Sequence, residues 1–260
     1  LALEARDAFR SPVAVAAAAG LGRGRAGLRI LLSAGEPSGD AIGTELAKAF
    51  SCRNLSVEMA GCAGDGMRSQ GVRTLADASD FSFAGWSSVL ARLPWLVWRA
   101  MDYYRKARRF APDLVVAIDA PGLNGPLLRR FRSRGTRVAW VAPPQLWAWK
   151  YRKPRLLQGM AVYPAHAFEV ESLQAAGAVP RWWGYPGARP CIRRSNFPDR
   201  LALLPGSRTV WRARHLELFA RAAGLAGLPL RTVLVHPSPS SPTEWGLPCL
   251  ACCQPSGGLL

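Results

Sequence analysis

Short apolar runs punctuate this chain at intervals, separated by longer segments of mixed character. Leu28 to Ser33 is the first such run, Ser56 to Gly61 the second, and Leu114 to Ile118 and Val138 to Val141 are two more. Runs of this length, bounded by Gly, Pro or charged residues, predict buried strands. The segments between them have helical length and pattern. Helices are expected at Ala41 to Phe50, near Met67, over Trp86 to Phe110 with a break at Pro94, and over Pro126 to Ser133. Residues 155 to 163 hold a helix and another strand, His166 to Gly177 reads as a helix, and Arg181 to Trp183 as a last short strand. Strands alternating with helices in this way predict an α/β fold built on a Rossmann-like, doubly wound parallel sheet.

The two ends break the pattern. Residues 1 to 27 are rich in Ala, Gly and Arg and read as a disordered leader or a transit-peptide remnant. From His236 the chain is dense in Pro, Ser, Gly and Cys, with no helical or strand period, so residues 236 to 260 are expected to be disordered or foreign to the fold.

Charge narrows the partners without choosing one. Among 260 residues, 34 Lys and Arg against 17 Asp and Glu give a formal net charge of +17. That balance favours nucleic acid, anionic lipid headgroups or phosphorylated substrates. No recognition-helix or aromatic RNA-binding signature accompanies it, so nucleic acid is not an expected partner. Charges or prolines interrupt every apolar segment before it reaches membrane-spanning length. Six cysteines (52, 62, 191, 249, 252, 253) are scattered or crowded near the end, unlike a disulfide framework. Cys249 and Cys252 form one CxxC beside Cys253, but no second ligand pair has zinc-site spacing, so no metal cofactor is expected.

Chemistry concentrates in the loops after the apolar runs. AGEPSGD (Ala34 to Asp40) offers small residues and backbone N–H groups ahead of a helix, with Ser38 or Asp40 as N-cap. It is neither a Walker loop nor a dinucleotide fingerprint, and it reads equally as an ordinary tight turn. Leu114 to Ile118 ends on Asp119, then Ala-Pro-Gly, a sequence expected neither to extend the strand nor to start a helix at once. Asp119 is either a helix-capping acid or, at a strand's carboxyl end, a catalytic one. Val138 to Ala142 ends on Pro143-Pro144, with Gln145, Trp147 and Trp149 beside Lys150; the rings serve either a core or, with the neighbouring cations, a ligand or a lipid surface. LLPGSR (Leu203 to Arg208) places an apolar run before Gly206, Ser207 and Arg208, a geometry suited to a phosphate and equally to a surface turn.

AGEPSGD, IDAPGLN, PPQLWAWK, the Gly-Tyr-Pro turn and LALLPGSR occur in the order seen in the lipid-A-disaccharide synthase family. The chain resembles that family from about Leu28 to about Pro229. The resemblance implies an inverting, membrane-associated glycosyltransferase of GT-B type that needs no metal. It implies transfer from UDP-2,3-diacylglucosamine to 2,3-diacylglucosamine 1-phosphate, forming a β-1,6 disaccharide and UDP. The family's essential aspartate falls on Asp119 and its essential arginine on Arg208, with Gly206 and Ser207 beside it at the donor phosphates. Glu36, Ser38, Asp40, Asn124, Gln145 and Trp147 are then expected on the acceptor side.

The resemblance also sets domains: residues 28 to 186 as the acceptor half and 187 to 235 as a linker and the start of the donor half. Three positions depart from the family: Gly122 where a second acid is usual, Tyr185 where histidine is usual, and Trp211 near the place of an acid. The chain stops before the segments the family uses for UDP, so a catalytically inactive remnant that keeps acyl-sugar or membrane binding is the alternative reading. The expected location is peripheral, on the cytoplasmic side of the inner membrane, or in a mitochondrion if residues 1 to 27 derive from a transit peptide.

One further segment has its own physics. From Phe81 to Arg109, Trp86, Trp95 and Trp98 lie among aliphatic residues and are followed by Arg105, Lys106, Arg108 and Arg109. Rings flanked by cations suit a helix lying in an anionic headgroup layer, and core packing is the competing reading.

Overall fold

A computed structural model of the chain describes residues 27–52, 56–82, 93–147, 154–182, 184, 201–203, 214–215, 217–219, 221–222, 225 and 232–234. The chain divides into two units, Leu1–Arg189 and Pro190–Leu260. In the first, β1 (Leu28–Ala34) leads to α1 (Pro37–Ser51), β2 (Val57–Ala63), the short α2 (Asp65–Ser69) and β3 (Arg73–Asp77). After a 3-10 turn at Ala78–Phe81 come α3 (Leu93–Phe110), β4 (Leu114–Ile118), α4 (Pro121–Arg132) and β5 (Arg137–Val141). A second 3-10 turn (Pro154–Leu156) precedes β6 (Ala161–Tyr163), α5 (Glu169–Ala175) and β7 (Val179–Pro180). In the second unit, β8 (Leu201–Leu203) and β9 (Thr232–Leu234) form a parallel pair.

The seven strands of the first unit form one parallel sheet in the order β3-β2-β1-β4-β5-β6-β7. A parallel sheet is stable only when both faces are covered, and here each face has its own core. Ile30, Leu32, Val116 and Ile118 pack with Ile42, Leu46 and Phe50 of α1 and Met67 of α2. Leu31, Val115, Ala117 and Trp140 pack on the other side with Tyr103 and Phe110 of α3 and Leu128 and Phe131 of α4. The alternation along β1 therefore divides apolar residues between two cores, which is why its sequence reads as one continuous apolar run. Tyr104 of α3 meets the edge of Phe131 at 5.8 Å between centroids, tying α3 to α4.

The predicted parallel α/β sheet is present, with several boundaries corrected. α1 begins at Pro37 rather than Ala41, inside the AGEPSGD segment, and α4 begins at Pro121 rather than Pro126. Both corrections have one cause. A proline in the first turn has no N–H to waste and a φ already suited to a helix, so Glu-Pro and Ala-Pro start helices directly. Pro126 stands inside α4, where its nitrogen cannot donate back along the helix. Pro94 lies in the first turn of α3 and does not break that helix; residues 83–92 lie outside the described residues. The N-cap of α1 is Glu36, without a side-chain capping bond, and neither Ser38 nor Asp40 fills that role. The helix expected over His166 to Gly177 is shorter, Glu169–Ala175, and the strand expected at Arg181 to Trp183 lies instead at Val179–Pro180. β3, β8 and β9 were not expected from the sequence. In RTLAD, Arg73 and Thr74 are exposed and only Ala76 is buried, so the apolar signal of a strand is missing.

Candidate functional site

Strand order reverses between β1 and β4: β2 and β3 lie on one side of β1, and β4 to β7 on the other. The helices leaving these two strands, α1 and α4, cover opposite faces of the sheet. Such a divergence opens a crevice beyond the carboxyl ends of the two strands, where open α/β sheets bind ligands. Gly35 and Glu36 follow β1 there, and Asp119 and Ala120 follow β4.

The backbone at this crevice is strained. Among the described residues, non-glycine residues with positive φ are Ala111, Asp119 (47°), Ala120 (46°) and Ala142 (49°). Three of the four stand at the carboxyl ends of the neighbouring strands β4 and β5. Left-handed non-glycine residues persist only where surrounding bonds over-determine them, and they cluster at functional sites. The corner brings Asp119 into a half-buried position and turns the chain directly into α4, whose N-cap is Ala120. Gly35 is required by this approach: a Cβ on it would lie 2.8 Å from the Cβ of Ala120.

Asn124 holds the corner in place. Its side chain is fully buried, and its amide nitrogen donates to the carbonyls of Asp119 (2.8 Å), Ile118 (3.0 Å) and Ser33 (3.1 Å). Its oxygen accepts from the Ser33 hydroxyl at 2.7 Å. One amide thus ties the end of β1 to the end of β4 across the switch point. Trp140 of β5 adds an indole N–H to the Asp119 carbonyl at 3.2 Å, and the Asp119 N–H donates to the Val141 carbonyl at 2.9 Å. Expected on the acceptor side, Asn124 is instead wholly enclosed. Its polar atoms are spent on the backbone of Ser33, Ile118 and Asp119 and on the Ser33 hydroxyl.

Asp40, also expected on the acceptor side, has its carboxylate committed to the protein. It accepts from the backbone N–H of Gly64 (2.7 Å), Gly66 (2.9 Å) and Met67 (3.2 Å), anchoring the β2–α2 loop to the first turn of α1. A Cβ on Gly64 or Gly66 would meet that carboxylate at 2.7 or 2.8 Å, which explains glycine at both. Asp40→Ala would leave three N–H groups without their acceptor. Water reaches part of this loop, so the expected loss is about 2 kcal/mol, somewhat more than one charge-assisted bond. Urea unfolding checks this, and Asp40→Asn should retain part of the stability, because its oxygen still accepts.

Glu36, Ser38 and Gln145 are half-buried at the carboxyl edge of the sheet, and Trp147, after β5, is 60% exposed. Trp147 is therefore not a core ring. Its indole N–H donates to Glu169 at 3.3 Å, and its ring meets Phe168 edge-on at 5.6 Å. Sequence reasoning missed Ser33, Phe168 and Glu169, since none lies in a recognisable motif. Arg208, Gly206, Ser207, Trp86, Trp149 and Lys150, together with Cys249, Cys252 and Cys253, lie outside the described residues.

Away from the crevice, α3 buries Tyr103, Ala107 and Phe110 and turns Leu93, Trp95, Val97, Trp98 and Met101 outward. Arg105 and Arg109 are exposed on its last turns. Arg99 pairs with Asp80 while its guanidinium lies 5.9 Å from the Trp95 ring centroid, so the exposed indole is braced. No helix among the described residues is long and apolar enough to cross a membrane. Burial, with Asp77 and Asp40 nearby, pushes the Cys62 thiol well above its ordinary range. It therefore stays protonated at neutral pH and has no nucleophilic character. No group of three or more His, Cys, Asp or Glu among the described residues could hold a metal ion.

Residues 30–164 match the family model described as lipid-A-disaccharide synthetase. The lipid-A-disaccharide synthase of Xanthomonas campestris pv. campestris (strain 8004) is 34% identical over 223 residues, covering 80% of this chain and 51% of that protein. That of Azotobacter vinelandii is 31% identical over 233 residues, 82% of this chain and 60% of the relative. That of Coxiella burnetii (strain Dugway 5J108-111) is 29% identical over 218 residues, 78% and 58% respectively. The chain thus spans about half the length of the curated relatives it matches.

Proposed function

Since the chain belongs to the lipid-A-disaccharide synthetase family, we propose that its parallel sheet is the acceptor half of an inverting GT-B glycosyltransferase. In this reading residues 28 to 186 form that half, and the residues from 187 begin the half that takes the sugar nucleotide. The donor is UDP-2,3-diacylglucosamine, the acceptor 2,3-diacylglucosamine 1-phosphate, and the products a β-1,6 disaccharide and UDP. The observation that supports this best is Asp119. The residue that matches the family's aspartate stands half-buried in a left-handed corner at the switch point, where a ligand-facing group would be held.

Inversion is a single displacement. The acceptor 6-hydroxyl oxygen attacks the anomeric carbon, the bond from that carbon to the UDP oxygen breaks, and the hydroxyl proton passes to a base. Asp119 takes that proton as the bond forms. Arg208, in the Gly206-Ser207-Arg208 turn, meets the charge that develops on the departing diphosphate. α1 and α4 both begin at the crevice, and helix N-termini favour anions, which suits a sugar 1-phosphate. Glu36, Ser38 and Gln145 line the acceptor side. The test is disaccharide formation from both lipid substrates by residues 1–189 joined to the remaining half of the Xanthomonas campestris relative. Product is expected; a well-folded hybrid that binds UDP but makes none contradicts the reading.

A membrane-bound setting is the second part of the proposal, supported by the outward apolar stripe of α3. An ordinary surface helix keeps its apolar residues on one inward face; α3 adds Trp95, Val97, Trp98 and Met101 on the outside, followed by exposed cations. Such a helix would rest in the headgroup layer and bring the crevice to a substrate with acyl chains. The protein should sediment with phosphatidylglycerol vesicles and retain part of that binding at high salt. Trp98→Glu should weaken it about tenfold by removing inserted area, and Arg105→Ala about fivefold at low salt only. Complete release at moderate salt would contradict insertion.

A further inference from the structure

Beyond the crevice, the next two strands deliver a cluster of exposed rings. Trp147 follows β5, and His166 and Phe168 follow β6, so all three stand on the same carboxyl edge of the sheet as Asp119. Trp147 is 60% and Phe168 63% exposed. Large rings left this open gain little from burial, yet these are held by specific contacts. His166 stacks on Phe168 with 7° between planes and 5.3 Å between centroids, while Phe168 meets Trp147 at 69°.

The brace beneath them is Glu169, only 3% exposed. One carboxylate oxygen accepts from the Trp147 indole N–H at 3.3 Å and the other from the His166 backbone N–H at 3.1 Å. A buried carboxylate is costly unless its lone pairs are used. Here it ties the loop after β5 to the loop after β6 and fixes the edge of the indole. The polar edge of Trp147 faces protein, so most of what remains for a ligand is ring face.

We propose that Trp147 and Phe168, braced by Glu169 and His166, form a stacking platform for the pyranose ring of the acceptor sugar. A pyranose presents a face of axial C–H bonds, slightly positive, which a π face attracts and an aliphatic wall does not distinguish. Half-buried Gln145, two residues before Trp147, suits a hydroxyl at the rim. The platform deepens the acceptor reading and rests on it: Asp119 acts on the reacting hydroxyl, and the rings set the sugar's tilt toward it. An acyl chain would also cover aromatic rings, so the test separates the two.

Glucosamine 1-phosphate, which carries no acyl chain, and decanoate, which carries no sugar, are titrated into the full chain and followed by ligand-observed NMR. Trp147→Ala and Phe168→Ala should each weaken glucosamine 1-phosphate about 3- to 10-fold, the scale of an aromatic contact. Melting temperature should be nearly unchanged in Phe168→Ala, whose side chain is exposed, and should fall by a few degrees in Trp147→Ala, which takes the indole N–H away from the buried Glu169 carboxylate. Glu169→Gln, able to accept only one of the two N–H groups, should give a smaller loss, and decanoate should respond to none of the three. Unchanged sugar binding in both ring variants overturns the platform and leaves the acceptor reading standing. Loss of decanoate binding instead makes the surface an acyl surface and overturns the sugar assignment. No sugar binding by the unsubstituted chain overturns both.

Discussion

Asp119→Asn is expected to cut turnover about 100- to 10,000-fold in the hybrid that carries both halves, while KM for the acceptor stays within about twofold. That range is the usual contribution of a positioned base and corresponds to about 2.7–5.5 kcal/mol of barrier. Asparagine is the informative replacement at this position. It has nearly the shape of aspartate and tolerates φ of 47°, so the corner survives while the proton acceptor is lost. Asp119→Ala removes the base as well, but it adds the cost of a left-handed alanine and confounds chemistry with strain. A variant that keeps more than about a third of wild-type turnover would remove Asp119 from the chemical step.

Asn124→Leu is the second large effect, on stability rather than chemistry. Leucine has similar volume but leaves three carbonyls and the Ser33 hydroxyl without the amide that satisfies them. Each orphaned buried group costs about 1–3 kcal/mol, and some of these carbonyls have a second partner, so the expected total is about 4 kcal/mol. For a domain of this size that corresponds to a fall in Tm of about 8–16 °C. The Asp119 corner should loosen too, seen as faster hydrogen exchange at the Asp119 N–H, which bonds to Val141 across the β4–β5 pair. A loss under about 1 kcal/mol would mean that water or a backbone shift replaces the amide.

How much of this was legible in the sequence differs by element, for physical reasons. β1, β2, β4 and β5 were readable because a parallel strand covered on both faces is apolar at nearly every position. Leu114 to Ile118 are all fully buried. β3 was not, since an edge strand exposes Arg73 and Thr74 and keeps no apolar period. The starts of α1 and α4 are hidden because Pro and Gly signal a turn as readily as a helix start, whereas Pro37 and Pro121 occupy first-turn positions that suit proline. At the candidate site, Asp119 was marked by its place at the end of an apolar run. The left-handed backbone that displays it had no mark, since Asp-Ala is not a sequence that demands positive φ. The family motifs place Asn124 and Asp40 on the acceptor side; the fold spends both inward, on backbone groups. Glu169 was invisible, an ordinary acid in an amphipathic segment until burial and the indole bond give it a role.

The central claim is that the carboxyl edge of the sheet, at the β1–β4 switch point and along β5 and β6, receives the acceptor sugar phosphate. Backbone amide shift mapping on the 15N-labelled chain, titrated with glucosamine 1-phosphate, tests it most directly. Shifts are expected at the non-proline residues of 35–38, 119–123, 142–147 and 166–169, with β2 and the amino ends of the strands unmoved. Shifts concentrated on the exposed stripe of α3, or at the amino ends of the strands, would contradict the account.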